Sequence, residues 1–371
     1  MLSRLEIDAA ALRRNYRLFC GVAGQQRVCP VLKANAYGHG LTASYQALAS
    51  ERPAWLGVNY IDEARQLREL GFAGRLLVVG PAVVRELPLA AQLQAELVVG
   101  NFPVLQAWLA LSESGPVHVK FDTGMSRQGF LVHEVGAVVE LLRQHRVSVA
   151  GICTHFANVE DVTDQTYSLH QLSLFEQVAK EFSLAGMTPV RHAASSASAL
   201  IMAASHFDMV RIGMSLYGVW PSPLTRVSYL QLHAGVLDLQ PVLSWRSEVV
   251  TVKAVHSGEY IGYGCTYRAI RDLRIAVLPV GYYEGFPRIA GEAASFVLIR
   301  GERCPVVGRI CMNMMMVDTT HLKTLEIGDQ VTLLGRDGKD VITAQDLAGW
   351  ARSIPYELLS RLHPDIPRML V

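Results

Sequence analysis

Lys33 closes the apolar run VCPVL and is followed at once by the small, polar and turn-prone residues ANAYGHG. A lysine so placed can be a stem-buried surface cation, a phosphate clamp or an amine ready to form a Schiff base. Other apolar runs also carry reactive groups at or near their ends. Lys120 and Asp122 lie in VHVKFD, His155 follows VAGICT, and His192 lies in PVRHAA with Ser195 and Ser196 just beyond. Arg211 sits in MVRIG, and Gly213 and Met214 begin a connection where backbone N–H groups can approach an anion. Each residue has a bland alternative. Lys33 can be a snorkelling strand-end cation, the histidines can be satisfied by backbone, and the serines can cap a helix. Arg211 can belong to a structural ion pair, and Lys120 can pair with Asp122. Independent bland causes would not gather these groups at the same end of successive runs. Together they form a cationic, hydroxyl-bearing set suited to a phosphorylated cofactor, held at one end and attached covalently at the other.

The elements that must position these groups are eight short apolar runs between residues 28 and about 213: VCPVLK, WLGVNY, LLVVG, AELVVG, VHVKFD, VAGICTH, PVRHAA and MVRIG. Segments of helical spacing such as EARQLREL separate them. Eight strand–helix repeats predict an α/β fold with an N-terminal (β/α)8 barrel, whose site lies at the C-terminal strand ends. A doubly wound open sheet has the same periodicity. Beyond about residue 240 the runs become long and β-branched, as in SEVVTVKAV, RIAVLPVGY, SFVLIR and DQVTLLG, which predicts a mostly β C-terminal domain. The expected division is 10–238 for the barrel and 239–371 for the β-rich domain. The helical pattern AQDLAGWARSIPYELLSRL, broken at Pro355, ends the chain.

At 371 residues, 50% hydrophobic and 18% charged, the chain can bury more than one core, since single cores stop growing near ~250–300 residues. A net charge of +1 without basic or acidic runs predicts small-molecule partners and copies of itself, with no nucleic acid and no membrane. Cys20, Cys29, Cys153, Cys265, Cys304 and Cys311 form no CxxC pair, which predicts free thiols and no metal site. With no apolar leader at its N-terminus, the chain is expected to be cytoplasmic.

Nine stretches taken in order, VLKANAYGHG, VKFDTGMSRQGF, GICTHFAN, HAASSA, VRIGMSLYG, GYGCTY, VGYYEGFPR, VGRICMNMM and IPYELLSRL, resemble the bacterial alanine racemases. The resemblance covers nearly the whole chain. It implies a pyridoxal 5'-phosphate enzyme of fold type III, a homodimer with shared active sites, in which residues 1–9 pair with the β domain. Such an enzyme interconverts L- and D-alanine, the latter a peptidoglycan precursor. Carried over by position, Lys33 binds the cofactor and acts as base on one face of the substrate. Tyr263 of the partner subunit acts on the other. Tyr37, Ser196, Gly213, Met214 and Tyr356 match phosphate-binding positions, His155 matches the residue against the cofactor ring, and Arg211 matches the partner of the pyridine nitrogen, supported by His192. Arg127 and Met312 match groups facing the substrate carboxylate, and Tyr282 and Arg288 match the entrance corridor. Lys120 matches a lysine often carbamylated in the family.

Two departures stand out. Ser195 replaces a common Asn near the phosphate end, and Asn313 replaces a common Asp, which removes a negative charge on the substrate-carboxylate side. Neither removes a proton-transfer group. The alternatives are a serine or broad-spectrum amino-acid racemase of the same fold type, or a related decarboxylase.

Overall fold

The computed structural model describes residues 2–24, 27–112, 114–145, 149–160, 163–233 and 235–371. The chain forms two compact units, one of residues 11–34 and 45–240, the other of residues 1–10, 35–44 and 241–371.

In the first unit the eight apolar runs form eight parallel strands: β1 (Val28–Pro30), β2 (Trp55–Val58), β3 (Arg75–Val78), β4 (Ala95–Val99), β5 (Val117–Asp122), β6 (Val149–Cys153), β7 (Val190–His192) and β8 (Val210–Ile212). Strands β2 to β7 pair in chain order, β8 pairs with β1, and a bridge from Val31 to Gly57 joins β1 to β2. At the remaining seam the Arg211 N–H donates to the Ala194 carbonyl at 3.1 Å. This is the expected barrel, with a loose seam between β7 and β8. The helix Ala9–Ala23 turns Leu12, Tyr16, Phe19 and Ala23 inward at intervals of three or four, while Arg14 and Arg17 face water. The segment Pro223–Leu232 is a further helix of this unit, capped by the Ser222 hydroxyl, which accepts from the Thr225 N–H at 3.1 Å.

The second unit is mostly sheet. Leu243–Glu248 alternates inward and outward, as a strand with one buried face must. It pairs with Gln330–Asp337 on one side and with Arg4–Ile7 on the other, and Arg4–Ile7 pairs in turn with Arg368–Leu370. The two ends of the chain therefore share a sheet. The single run SEVVTVKAV is divided between two strands, Leu243–Glu248 and Thr251–Val255, that belong to different sheets. Pro355 begins a second short helix, Pro355–Ser360, after Ala344–Ala351. Among the described residues no helix is long and apolar enough to cross a membrane.

Candidate active site

In the barrel unit, the C-terminal ends of the strands gather Lys33 after β1, Lys120 and Asp122 on β5, His155 after β6, His192 on β7, and Arg211 on β8. Lys33 begins a tight helical turn, Lys33–Tyr37, in which Ala34, Asn35, Ala36 and Tyr37 all have φ between 52° and 55°. Glu63 ties down the start of this turn. Its Oε1 accepts from the Ala34 N–H at 2.7 Å, and its Oε2 accepts from the Asn59 N–H at 2.7 Å. Burial lowers the Lys33 pKa, and the nearby Arg127 and Arg211 charges lower it further against the opposing pull of Glu63.

Arg211 is the most heavily bonded group of the mouth. Nη1 donates to His192 Nδ1 at 2.6 Å and to the His192 carbonyl at 2.8 Å. Nη2 donates to the carbonyls of Thr154 and Ala193 at 2.9 and 3.0 Å and lies 3.3 Å from His155 Nδ1. Those bonds occupy all four Nη protons, so Nε–H is the donor left without an acceptor among the described residues. Burial, followed by the charge of Arg211, pushes both His155 and His192 well below the ordinary histidine pKa, so both rings are neutral at pH 7.

Ser195 is the N-cap of the helix Ser196–Ile201, and the buried Ser196 hydroxyl accepts from the Gly213 N–H at 3.0 Å. That leaves the Ser196 hydroxyl proton to donate, beside the start of the Met214–Tyr217 turn. Lys120 is buried and reaches Gln128 Oε1 at 3.4 Å. Its pairing with Asp122, the bland alternative, is not what forms. Asp122 instead accepts from the N–H groups of Gly124, Met125, Ser126 and Arg127 at 2.8 to 3.1 Å, fixing the loop that carries the exposed Arg127.

The other expected residues lie in the second unit. Tyr37 and Tyr356 meet edge-on with ring centroids 6.3 Å apart. Tyr263 stands 71% exposed on the turn Tyr263–Cys265, and Met312, Tyr282, Arg288 and Asn313 are also exposed. The loops carrying Tyr282 and Met312 are bound together. The Tyr282 and Tyr283 N–H groups donate to the Cys311 and Met312 carbonyls, and Asn313 Nδ2 donates to Glu284 Oε1 at 2.8 Å. Asn313 therefore does more than delete a charge, because it supplies a donor to the buried carboxylate of Glu284.

Sequence reasoning overlooked Glu63, Glu96, His118 and Glu284. A signal existed for His118. It shares the period-two face of β5 with Lys120 and Asp122, but it sits near the strand's start and not at its C-terminal end.

The chain matches the family model for the alanine racemase N-terminal domain over residues 7–221 and that for the alanine racemase C-terminal domain over residues 242–370. It is 36% identical to the alanine racemase of Leptospira interrogans over 380 residues, which takes in 100% of this chain and 96% of the relative. With the alanine racemase of Symbiobacterium thermophilum it shares 38% identity over 98% of this chain and 95% of the relative. A crystal structure of alanine racemase from D-cycloserine producing Streptomyces lavendulae superposes with a TM-score of 0.91 at 31% identity, covering 100% of this chain and 97% of that one. The alanine racemase of E. faecalis gives a TM-score of 0.90 at 31% identity, with 100% and 98% covered. With both halves matched in order and the fold shared end to end, the chain belongs to the alanine racemase family of isomerases.

Proposed function

We propose that this protein racemises alanine with pyridoxal 5'-phosphate by a two-base mechanism, with Lys33 on one face of the substrate and Tyr263 of a second copy of the chain on the other. The observation that carries the reading is the donor set of the barrel mouth. An unspent Arg211 Nε–H, an amine of lowered basicity at Lys33, and the Ser196 hydroxyl with the Gly213–Met214 backbone match a ring nitrogen, an aldehyde and a phosphate respectively. When bound, the cofactor supplies an electron-withdrawing ring that makes the α-proton removable.

The chain's own groups do the rest. Lys33 Nζ takes the α-proton on its face, and Tyr263 Oη delivers one to the opposite face. A single base would return the proton to the side it left. Arg211 would face the ring nitrogen as a donor that does not yield its own proton, and a ring held in this way would withdraw electrons only moderately, which would favour prompt return of a proton to carbon. The neutral His155 lies beside Arg211. Tyr37 and Tyr356 complete the phosphate end, Arg127 and the Met312 N–H receive the substrate carboxylate, and His192 supports Arg211. Lys120 is the site of a carbamate that neutralises Arg127, and Tyr282 and Arg288 line the approach.

The exposure of Tyr263 at 71%, with Tyr282, Met312 and Met314 also exposed in the same unit, supports a homodimer in which these residues face the other copy. The test is a chiral assay of L-alanine with purified, cofactor-supplemented protein. D-alanine should form at a rate that vanishes in Lys33→Ala together with the cofactor's absorbance. A preference for L-serine, L-lysine or L-ornithine by about tenfold, equivalent to ~1.4 kcal/mol, overturns the alanine assignment, and release of carbon dioxide indicates a decarboxylase.

A further inference from the structure

Three buried side chains, His192, His118 and Glu96, run through the barrel interior behind Arg211 and end at the exposed Arg75. His192 Nε2 lies 2.8 Å from His118 Nδ1, and His118 Nε2 lies 2.7 Å from Glu96 Oε2. Arg75 holds Glu96 from the far side with two bonds of 2.5 and 2.8 Å, while its guanidinium lies 3.7 Å from the centroid of the Trp55 ring. His118 and His192 are 0% exposed and Glu96 is 4% exposed. The space for the His118 ring comes from Gly151 on the neighbouring strand, where a β-carbon would fall onto His118 Nδ1. A buried polar column with room cut for it needs a reason, since an apolar core would be easier to satisfy.

The direction of every hydrogen bond in the column follows from its ends. Arg211 can only donate, so His192 Nδ1 is an acceptor and the ring's proton sits on Nε2. That proton goes to His118 Nδ1, which places the proton of His118 on Nε2, facing Glu96. Burial raises the Glu96 pKa, but the bonds from His118 and Arg75 outweigh it and keep the carboxyl ionised. Arg211 has no carboxylate within ion-pair distance among the described residues. Glu96 is the anion that reaches it, through two neutral imidazoles.

We propose that Glu96 and His118 are positioning residues for Arg211. They fix His192 in the Nε2–H tautomer, so that its Nδ1 holds the guanidinium in one orientation with Nε–H left for the cofactor. The link to the cofactor rests on the function proposed above, whereas the tautomers do not. Without the carboxylate, His192 and His118 can exchange tautomers, and an Nδ1–H on His192 would face the Nη1 protons. Arg211 would then lose its strongest side-chain acceptor and turn.

The test is nitrogen NMR on the full-length protein labelled with 15N-histidine, with and without cofactor. A hydrogen bond between two imidazoles gives a scalar coupling between their nitrogens. The expected result is one such coupled pair, with a protonated Nε2 on one ring and a bare Nδ1 on the other, both rings keeping the Nε2–H form between pH 6 and 8. Absence of the coupling, the reverse direction or an imidazolium in that range overturns the proposal, and the wild-type spectrum alone decides this. In folded Glu96→Gln the coupling should weaken and the His192 nitrogens should shift toward each other. In the cofactor-loaded variant kcat should fall about tenfold with KM within about twofold. An unchanged spectrum or an unchanged kcat in that variant refutes the role of Glu96. Gly151→Ala, which displaces His118, should abolish the coupling. A protein that shows the coupled pair but does not racemise alanine refutes the proposed function and leaves the tautomer assignment standing.

Discussion

Lys33 gains its chemistry from its surroundings. A lysine whose pKa is lowered holds more free amine at any given pH, and free amine is what attacks an aldehyde. In cofactor-free protein at pH 7.5, limiting formaldehyde with a reductant should modify Lys33 several-fold faster than Lys180, Lys253, Lys323 or Lys339, read by peptide mass spectrometry. Equal labelling would contradict the environment described. On the opposite side of the mechanism, Tyr263→Phe should keep the cofactor bound and cut racemisation severely, more in one direction than in the other; wild-type turnover would refute the two-base assignment. Asn313 shows how a residue-level expectation is sharpened. By sequence it was a lost charge, whereas in the structure its amide donates to buried Glu284. Asn313→Asp would set two carboxylates oxygen to oxygen and should cost about 1–3 kcal/mol at pH 8. An unchanged midpoint in denaturant titrations of that variant would remove the pairing from the explanation.

At the scale of the element, the turn from Lys33 to Tyr37 is the least expected feature. Four consecutive residues are left-handed, and only Asn35 among them accepts that backbone readily. For Ala34, Ala36 and Tyr37 the cost is about 1–2 kcal/mol each, so tertiary bonds must impose it. Glu63 holds its first N–H, and the Asn35 side chain accepts from the Leu41 N–H at 2.8 Å. His39 Nδ1 reaches the Ala36 and Tyr37 carbonyls, and Arg368 donates to the Gly38 carbonyl at 3.1 and 3.2 Å. Gly38 has φ of 86°, and a β-carbon there would fall on the Leu359 carbonyl. Gly38→Ala should therefore destabilise by several times the ~1 kcal/mol typical of a backbone mismatch. Ala34→Gly, at an exposed position, should raise the melting temperature slightly by relieving strain; a lowered one would mean the strain is absent. The composition of ANAYGHG announced a turn, but its handedness was not legible, because no local preference favours it. The partners that impose it lie at residues 63 and 368.

For the molecule as a whole, the strands that carry the site were legible because each is a short apolar run with turn signals around it, and the reactive groups stand at their ends. The second unit was legible as sheet, and the resemblance implied that residues 1–9 join it, but the order of its strands was not legible. Arg4–Ile7 lies between Leu243–Glu248 and Arg368–Leu370, partners more than two hundred residues away that no local pattern announces. The column from Arg75 to Arg211 was hidden for the same reason, since its five members come from five different strands; His39, outside the column, is buried as well. These buried histidines nevertheless set how the folded chain responds to acid. Burial holds His39 at about 4 against an ordinary 6.5, and it lowers His118, His155 and His192 as well. Above pH 6.5 both folded and unfolded chains keep these rings neutral, so stability there is flat in this respect. Below 6.5 the unfolded chain binds protons that the folded chain refuses, and stability falls until the folded pKa is reached. His39 alone forfeits about 2 kcal/mol by pH 5. Glu96 and Asp122, whose pKa values are lowered, add a second loss at lower pH, as acid protonates carboxylates that the fold holds ionised. Urea midpoints should therefore change little from pH 8 to 6.5 and drop steeply from 6.5 to 5. A profile flat to pH 5 would mean that these rings are not buried neutral.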